Sequence, residues 1–225
     1  MALPTNAPLQ KRDLIAFDVR ASLPIAVNVL RKRLRPRHVA VVLFRYGASS
    51  VRDPLEGISG EGWPADKEVL VRHQFRAAMR IDDALSGLEF LTQAEHHAIV
   101  AEIIADTGAR FLEANLDLPA PQDWHAATPE ERGTFVRGTL GQFANADVDR
   151  IYADEPNMLG FDVCVCRFQQ LANAVGRPHL APMFCAADSV HFARADLPVQ
   201  LRRTATIATG GDRCDFRFDF RSDDS

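Results

Sequence analysis

The sequence predicts an α+β fold in which N-terminal helices pack on a C-terminal antiparallel sheet of at least four strands. Apolar residues recur at helical spacings through most of the first 145 residues. Short runs of alternating apolar and polar residues follow, and the last two flank Gly210-Gly211, a dipeptide typical of two-residue hairpins. Helices first and hairpins later are the pattern of the α+β class.

Length and composition agree with one compact unit. The chain has 225 residues, of which 47% are hydrophobic and 25% are charged, as in ordinary globular proteins. Within this unit we expect a basic helical region with a loop over residues 1–63 and an α+β domain over residues 64–225. No stretch approaches the roughly 18 continuous apolar residues of a membrane helix, and residues 1–10 do not resemble a secretory signal. We therefore expect a cytoplasmic protein without a membrane partner.

The net charge of −4 conceals an asymmetry along the chain. Residues 1–52 contain ten Lys or Arg against two Asp and so carry +8, which leaves −12 on the remainder. The basic run at 31–38 lacks interleaved aromatic residues and any motif that reads a nucleic-acid groove. We expect no nucleic-acid partner, and interpret the run as a solvated helix end or a contact in a homo-oligomer.

The first half of the chain is predicted from apolar periodicity and from its breakers. A helix is expected over residues 12–34, with an interruption near Pro24. Residues 49–63, rich in glycine and proline, are interpreted as a loop and a candidate lid. Residues 64–85 follow a looser helical pattern that includes His73.

Two further helices begin at capping boxes. Thr92 is followed three residues later by Glu95, and the apolar face beyond it extends to about Asn115. Thr128 is followed by Glu131 in the same way, with a proline in the first turn.

After residue 145 the pattern changes to short strands and helices. The predicted elements are strands over 148–153 and 159–165, helices over 168–175 and 180–192, and strands over 199–209 and 213–220.

The last hairpin makes a testable prediction about one cation. A two-residue loop at Gly210-Gly211 places Leu201 opposite Phe220 and Arg203 opposite Phe218. Arg203 is then the only charge on an otherwise apolar face. A buried guanidinium needs a carboxylate, supplied either by the protein, with Asp188 as the partner and Phe218 as a cation–π neighbour, or by a bound ligand.

One helix of the C-terminal third carries three reactive side chains. Cys185 and Asp188 are three residues apart and share a helix face. His191, three residues further on, can reach Asp188 but lies on a different face of the helix from Cys185. A nucleophilic cysteine needs a lowered pKa, which a cation such as Arg203 can supply. The arrangement suits Cys185 as a nucleophile and Asp188 as a proton carrier, although lone cysteines more often serve packing.

Several motifs in this third resemble a known family. In chain order they are Phe161-Asp162-Val163, Cys166, Cys185-Ala186-Ala187-Asp188, Leu201-Arg202-Arg203-Thr204-Ala205-Thr206-Ile207-Ala208 and Gly210-Gly211-Asp212-Arg213-Cys214-Asp215-Phe216-Arg217-Phe218. Their order and spacing over residues 158–220 resemble the L-2-amino-thiazoline-4-carboxylic acid hydrolase family. That family is itself distantly similar to small-molecule-binding domains of the vinyl-reductase type, an α+β fold with a ligand pocket between helices and sheet.

The resemblance implies hydrolytic opening of a small cyclic amidine, thiazoline or related heterocycle that bears a carboxylate, without a cofactor. On this hypothesis Cys185 attacks the ring carbon, Asp188 or His191 passes protons, and Arg203 holds the substrate carboxylate. If Cys185 proves dispensable, water activated by Asp188 replaces the covalent step. The remaining candidate pocket residues are Cys166, Cys214 and Thr204.

Two alternatives stay open. One is a metal site, because Cys164 and Cys166 alternate on a strand and would face the same side, although His96 and His97 point to different sides of their helix. The shell would be completed by Cys185, Asp188, His191 and Cys214. The other is a sensor that binds a small molecule in the same pocket without chemistry.

Overall fold

The predicted order of helices followed by an antiparallel sheet is present in the structure, a computed structural model that describes residues 3–4, 9–49, 53–58, 60, 62–143 and 145–220. The helices are α1 (Lys11–Phe17), α2 (Leu23–Arg33), α3 (Pro36–Ala48), α4 (Ala65–Ser86), α5 (Gln93–Asn115), α6 (Pro121–Ala126), α7 (Pro129–Gln142), α8 (Arg167–Ala174) and α9 (Leu180–Phe192). The strands are β1 (Ala146–Tyr152), β2 (Met158–Cys166), β3 (Val199–Arg202) and β4 (Cys214–Phe220). They form one sheet in the order β1-β2-β4-β3, and each neighbouring pair is antiparallel. The α+β prediction is confirmed.

The first predicted helix is divided by a π-helical turn, Asp18–Ser22, between α1 and α2. Pro24 stands in the first turn of α2 and has no N–H to donate to the carbonyl four residues earlier. The helical path widens there, and the N–H of Leu23 donates to the carbonyl oxygen of Asp18, five residues back. The interruption expected near Pro24 therefore takes the form of a π turn.

Both predicted capping boxes are present. The Thr92 hydroxyl accepts from the N–H of Glu95 at 3.2 Å, while the Glu95 carboxylate accepts from the N–H of Thr92 at 2.8 Å. Thr128 and Glu131 make the equivalent pair at 3.3 and 2.7 Å. These bonds satisfy N–H groups that would otherwise lack a partner, and so fix where α5 and α7 begin.

The candidate lid at 49–63 is only partly covered, because residues 50–52, 59 and 61 lie outside the described residues. The described part is anchored to α4. Leu55 is 1% exposed, and the guanidinium of Arg72 donates to its carbonyl oxygen at 3.1 Å and also to that of Ile58.

The first three helices share a hydrophobic core with the elements that follow. Leu30 of α2, Val42 of α3, Phe75 of α4 and Val100 of α5 are all fully buried in one cluster. The basic run lies at the end of α2 and the start of α3 and is largely exposed. Within it, Arg33 bridges to Glu102 of α5 at 2.6 Å.

The last hairpin is longer than predicted, and its register differs by two residues. Leu201 pairs with Phe218, where a two-residue loop would have paired it with Phe220. The connection between β3 and β4 runs through a 3₁₀ turn, Ile207–Thr209, and closes at Gly210 in the left-handed conformation (φ +96°). The predicted pairs were wrong. The prediction of which side chains share a face of the sheet was right. Side chains alternate between the two faces with a period of two, so a two-residue shift leaves each of them on the same face.

The outer face of the sheet carries a buried carboxylate held by polar partners. Asp162 of β2 accepts from the Tyr152 hydroxyl at 2.9 Å and from the guanidinium groups of Arg217 at 2.9 Å and Arg213 at 3.2 Å. Burial alone would raise the pKa of Asp162, but these three donors outweigh it and the net pKa is lowered. On this outer face, therefore, the buried carboxylate is paired with polar and cationic side chains, whereas the opposite face of the sheet packs against the helices.

Helices α5 and α9 approach each other closely at a glycine. A Cβ atom added to Gly108 would lie 2.5 Å from the Cβ of Ala187, a distance at which one helix must move.

We therefore expect Gly108→Ala to lower the free energy of unfolding by about 1–3 kcal/mol through overpacking. The matched control is Gly138→Ala in α7, where an added Cβ meets no atom within 4 Å. Urea denaturation should show that this control is neutral or stabilising by up to about 1 kcal/mol. Equal stability of the two variants would mean that α5 and α9 are not in close contact.

Among the described helices, none combines the length and the apolar character needed to cross a membrane.

Candidate functional site

A cavity of about 520 Å³ lies between the helices and the inner face of the sheet. Its wall is built from all the described helices except α6, together with the π turn and the inward side chains of the strands. Most of these side chains are apolar, including Phe111, Phe184 and Phe216. A concave, mainly apolar space with a few polar groups is the usual form of a small-molecule site.

Three of the predicted site residues meet in this wall. Cys185 and Asp188 project from α9, and Arg203 follows β3. The Arg203 guanidinium donates to the Asp188 carboxylate at 2.7 Å and to the carbonyl oxygen of Cys185 at 2.9 Å. These bonds use two of the five N–H donors of a guanidinium.

The expectation that Arg203 would be buried beside a carboxylate is confirmed, with 9% of its side chain exposed and Asp188 as the protein partner. The predicted aromatic neighbour was wrong. The guanidinium carbon lies 4.9 Å from the ring centre of Phe216, and not over Phe218. The cause is the two-residue shift in register between β3 and β4, which places Phe216 next to Arg203.

The pocket environment shifts the titration of both α9 residues. Burial raises the pKa of the Asp188 carboxyl, and Arg203 offsets only part of this shift. Burial also raises the pKa of the Cys185 thiol to about 12, with Arg203 lowering it and Asp188 raising it. The thiol is therefore protonated at neutral pH, contrary to the lowered pKa expected of an activated nucleophile.

Two further cysteines line the same cavity. Cys166 ends β2, and Cys214 begins β4, where its sulfur accepts from the N–H of Ile207 at 3.3 Å. Burial raises the pKa of both thiols. They contribute small, neutral surface to the wall.

Cys164 does not join them, so the prediction that it faces the same side as Cys166 was wrong. It is exposed and donates to the carbonyl oxygen of Asp147 at 3.4 Å. The pairing of β1 with β2 is irregular on both sides of Val148, and this bulge breaks the alternation along the strand.

Two other predicted site residues lie away from the cavity wall. His191 is 2% exposed, does not line the cavity, and has a pKa lowered by burial, with the backbone of Ala109 beside it. Thr204 is exposed and points to the outer side, where its N–H and hydroxyl both donate to Asp215, at 2.9 and 2.6 Å. The structure does not bring either residue to Cys185.

The described residues contain no group of three or more His, Cys, Asp or Glu side chains placed to hold a metal ion. The neighbouring histidines of α5, His96 and His97, have ring centres 5.3 Å apart and belong to one cluster, in which His179 contacts Asp82 at 3.4 Å. His96 contacts Asp82 at 3.0 Å, and His97 stacks on His179 with ring centres 4.4 Å apart.

A second polar group in the wall was not expected from the sequence. Asp18 of the π turn pairs with His73 of α4 at 2.7 Å. Burial and this aspartate together raise the pKa of Tyr46, which also lines the cavity. One local sign of this pair is present in the sequence, because His73 falls among the apolar positions of the 64–85 pattern. Its partner Asp18 lies 55 residues away and could not be identified from neighbouring residues.

A protein-family model described as L-2-amino-thiazoline-4-carboxylic acid hydrolase matches residues 84–218. The matched region includes α5 to α9, most of the sheet, and the cluster of Cys185, Asp188 and Arg203. It extends the resemblance well upstream of residue 158. No curated protein and no solved structure matches the chain.

Proposed function

Because the chain belongs to the L-2-amino-thiazoline-4-carboxylic acid hydrolase family, we propose that it hydrolyses a small cyclic amidine, thiazoline or related heterocycle bearing a carboxylate. One observation carries the proposal. A carboxyl, a guanidinium and a thiol from Asp188, Arg203 and Cys185 converge in the wall of a mainly apolar cavity. Such a convergence supplies a base, an anion anchor and a thiol at one place.

Asp188 is the base in the proposed reaction. It takes a proton from a water molecule as that water attacks the ring carbon flanked by two heteroatoms. The new C–O bond forms, one ring C–S or C–N bond breaks, and Asp188 returns the proton to the departing heteroatom. One water is consumed and the carboxylate is restored. The raised pKa of Asp188 supports this role, since a base works best when its pKa lies nearer the operating pH.

The competing route uses Cys185 as a nucleophile. Its sulfur bonds to the ring carbon as the heteroatom leaves with a proton, and water then releases the product and restores the thiol. The pKa of about 12 disfavours this route, because only a small fraction of thiolate is present at neutral pH. We therefore assign Cys185 to the wall beside the reacting carbon.

Arg203 anchors the substrate carboxylate. Its guanidinium is held by Asp188 and by the Cys185 carbonyl, which fixes its orientation, and its remaining N–H donors are available to an anion. A planar guanidinium suits paired hydrogen bonds to a carboxylate. The partner of this protein is accordingly a small-molecule carboxylate.

The test is incubation of the purified protein with 2-amino-thiazoline-4-carboxylate, and separately with carboxylated hydantoins and lactams. We expect mass spectrometry to show a product heavier by one water for at least one ring class. Binding of these compounds without turnover would contradict a hydrolase and would favour the non-catalytic sensor.

Cys185→Ser distinguishes the two routes. With water activated by Asp188, we expect kcat to remain within about tenfold of the unmodified protein, since no covalent bond to sulfur is needed. Thermal unfolding of the variant serves as the control for folding. A loss of kcat beyond about a thousandfold, with a substrate adduct trapped on Cys185 in the unmodified protein, would establish the thiol as the nucleophile.

A further inference from the structure

The cavity is much larger than the family's namesake molecule. Cavities of roughly 300–1,000 Å³ enclose ligands of drug size, and this one measures about 520 Å³. An amino-thiazoline carboxylate, with roughly nine non-hydrogen atoms, would leave most of that volume unfilled. The polar end occupied by Cys185, Asp188 and Arg203 is a small part of the wall.

Most of the rest of the wall is hydrocarbon, with a few neutral polar side chains among it: Ser22, Tyr46, Gln74, Thr107, Thr139, Gln142 and Asn145. Eleven of the fourteen phenylalanines of the chain line the cavity, together with leucine, isoleucine and valine from α2, α4, α5 and α7. In the described wall, charged or ionisable nitrogen and carboxylate groups occur at only two places, the Asp188–Arg203 pair and the Asp18–His73 pair. Such a surface, apolar over most of its area, favours the binding of apolar groups.

Two apolar residues of the wall are also open to solvent. Val19 in the π turn is 69% exposed and Leu23 at the start of α2 is 50% exposed, and both line the cavity. At the π turn, therefore, the wall of the cavity includes apolar side chains that also contact solvent. An apolar group entering from water meets favourable surface before it is enclosed.

We propose that the ligand of this cavity, which on the proposed function is its substrate, carries a bulky hydrocarbon group, alkyl or aryl. The carboxylate and the ring to be opened lie at Arg203 and Asp188, and the hydrocarbon group extends between α4, α5 and α7 toward the π turn. The size and the mainly apolar chemistry of the wall support this inference. The inference rests on the proposed function, because it specifies the substrate class of the proposed hydrolase.

Binding is tested without turnover, by calorimetric titration with straight-chain carboxylates from butanoate to decanoate and with 4-phenylbutanoate. We expect the association constant to rise about fourfold for each added CH₂ until the cavity is filled. We also expect a negative heat-capacity change that grows with chain length. An association constant that stays flat along the series overturns the proposal, whether or not the protein hydrolyses any ring.

A cavity-filling variant locates the binding. Ala77→Phe places a large side chain on a lining position of α4, whereas Val69→Phe changes an exposed position of the same helix that does not line the cavity. We expect Ala77→Phe to weaken decanoate binding at least tenfold while butanoate binding changes less. The Val69→Phe control should bind both as the unmodified protein does. Equal binding of decanoate by both variants contradicts the placement.

Turnover separates this inference from the proposed function. If the protein is a hydrolase with this specificity, 2-amino-thiazoline-4-carboxylate bearing a phenyl or hexyl group should exceed the unsubstituted compound at least tenfold in kcat/KM. A rising binding series without turnover supports a hydrocarbon-bearing ligand and rejects the hydrolase. Turnover with no preference for the substituted compound keeps the hydrolase and rejects the hydrocarbon group.

Discussion

Asp188→Asn is expected to lower kcat for the proposed hydrolysis by about 10²–10⁴-fold, the usual contribution of a positioned general base. The amide has nearly the same shape and can still contact Arg203, so the cavity should stay intact. What it loses is the capacity to take a proton from water. Steady-state kinetics with the substrate found in the ring panel provide the measurement.

The same assignment fixes the direction of the pH dependence. A base acts in its ionised form, so kcat/KM should fall as pH drops through the pKa of Asp188. Because burial raises that pKa, the acidic limb should lie above the value of about 3.9 for an ordinary aspartate. A rate that declines only below the ordinary value would count against Asp188 as the base.

The matched control for this variant is Asp149→Asn, at an exposed aspartate of β1. It removes one negative charge from the same protein and should leave kcat within about twofold. If Asp188→Asn retains full kcat and its pH profile, the catalytic proposal fails and Asp188 is a structural partner of Arg203 only.

The second large effect concerns stability. Arg203→Leu removes the cation from a pair in which 9% of the arginine and 24% of the aspartate side chain are exposed. Asp188 then remains in the cavity wall without its cation, and we expect the free energy of unfolding at neutral pH to fall by about 3–5 kcal/mol. Urea denaturation measures the change.

The neighbouring residue gives a direct comparison. Arg202 pairs with Asp219 on the outer face, but 61% of the arginine side chain is exposed. Arg202→Leu should therefore cost only about 0–1 kcal/mol. Similar losses for the two variants would mean that Arg203 and Asp188 are not a buried pair.

A double variant separates the pair's effect on stability from its effect on activity. Replacing both Arg203 and Asp188 with leucine removes the unpaired charge, and most of the lost stability should return. Hydrolysis should not return, because the base and the anion anchor are both absent. Recovery of activity along with stability would contradict the roles proposed for these residues.

Local signals in the sequence predicted most of the elements. The capping boxes at Thr92 and Thr128 act within four residues, and each fixed a helix start correctly. The interruption near Pro24 was predicted for the same reason, since the missing N–H acts within one turn. Arg203 was also identified as a buried cation, because the alternation of a strand assigns faces without reference to any other part of the chain.

Predictions that depended on the exact connection of two strands failed. The glycine pair at 210–211 indicated a two-residue loop, but the chain closes through a wider turn, so the partners of β3 are displaced by two positions. The bulge between β1 and β2 similarly separated Cys164 from Cys166. Strand pairing and bulges are set by packing against the helices, which neighbouring residues do not encode.

Local signals were sufficient to predict the order of helices and strands, and with it the α+β class. They also predicted two helix starts, the face on which Arg203 lies and the shared helix face of Cys185 and Asp188, because these depend on residues close together in the chain. The packing of distant segments selected Asp188, one of the two candidate partners, for Arg203, and it created the large, mainly apolar cavity around them. The same packing keeps the Cys185 thiol protonated, since its pKa is raised by burial under helices and strands distant in the chain. Distant segments create the enclosed volume and the low-dielectric surroundings, and these properties govern the chemistry of the site.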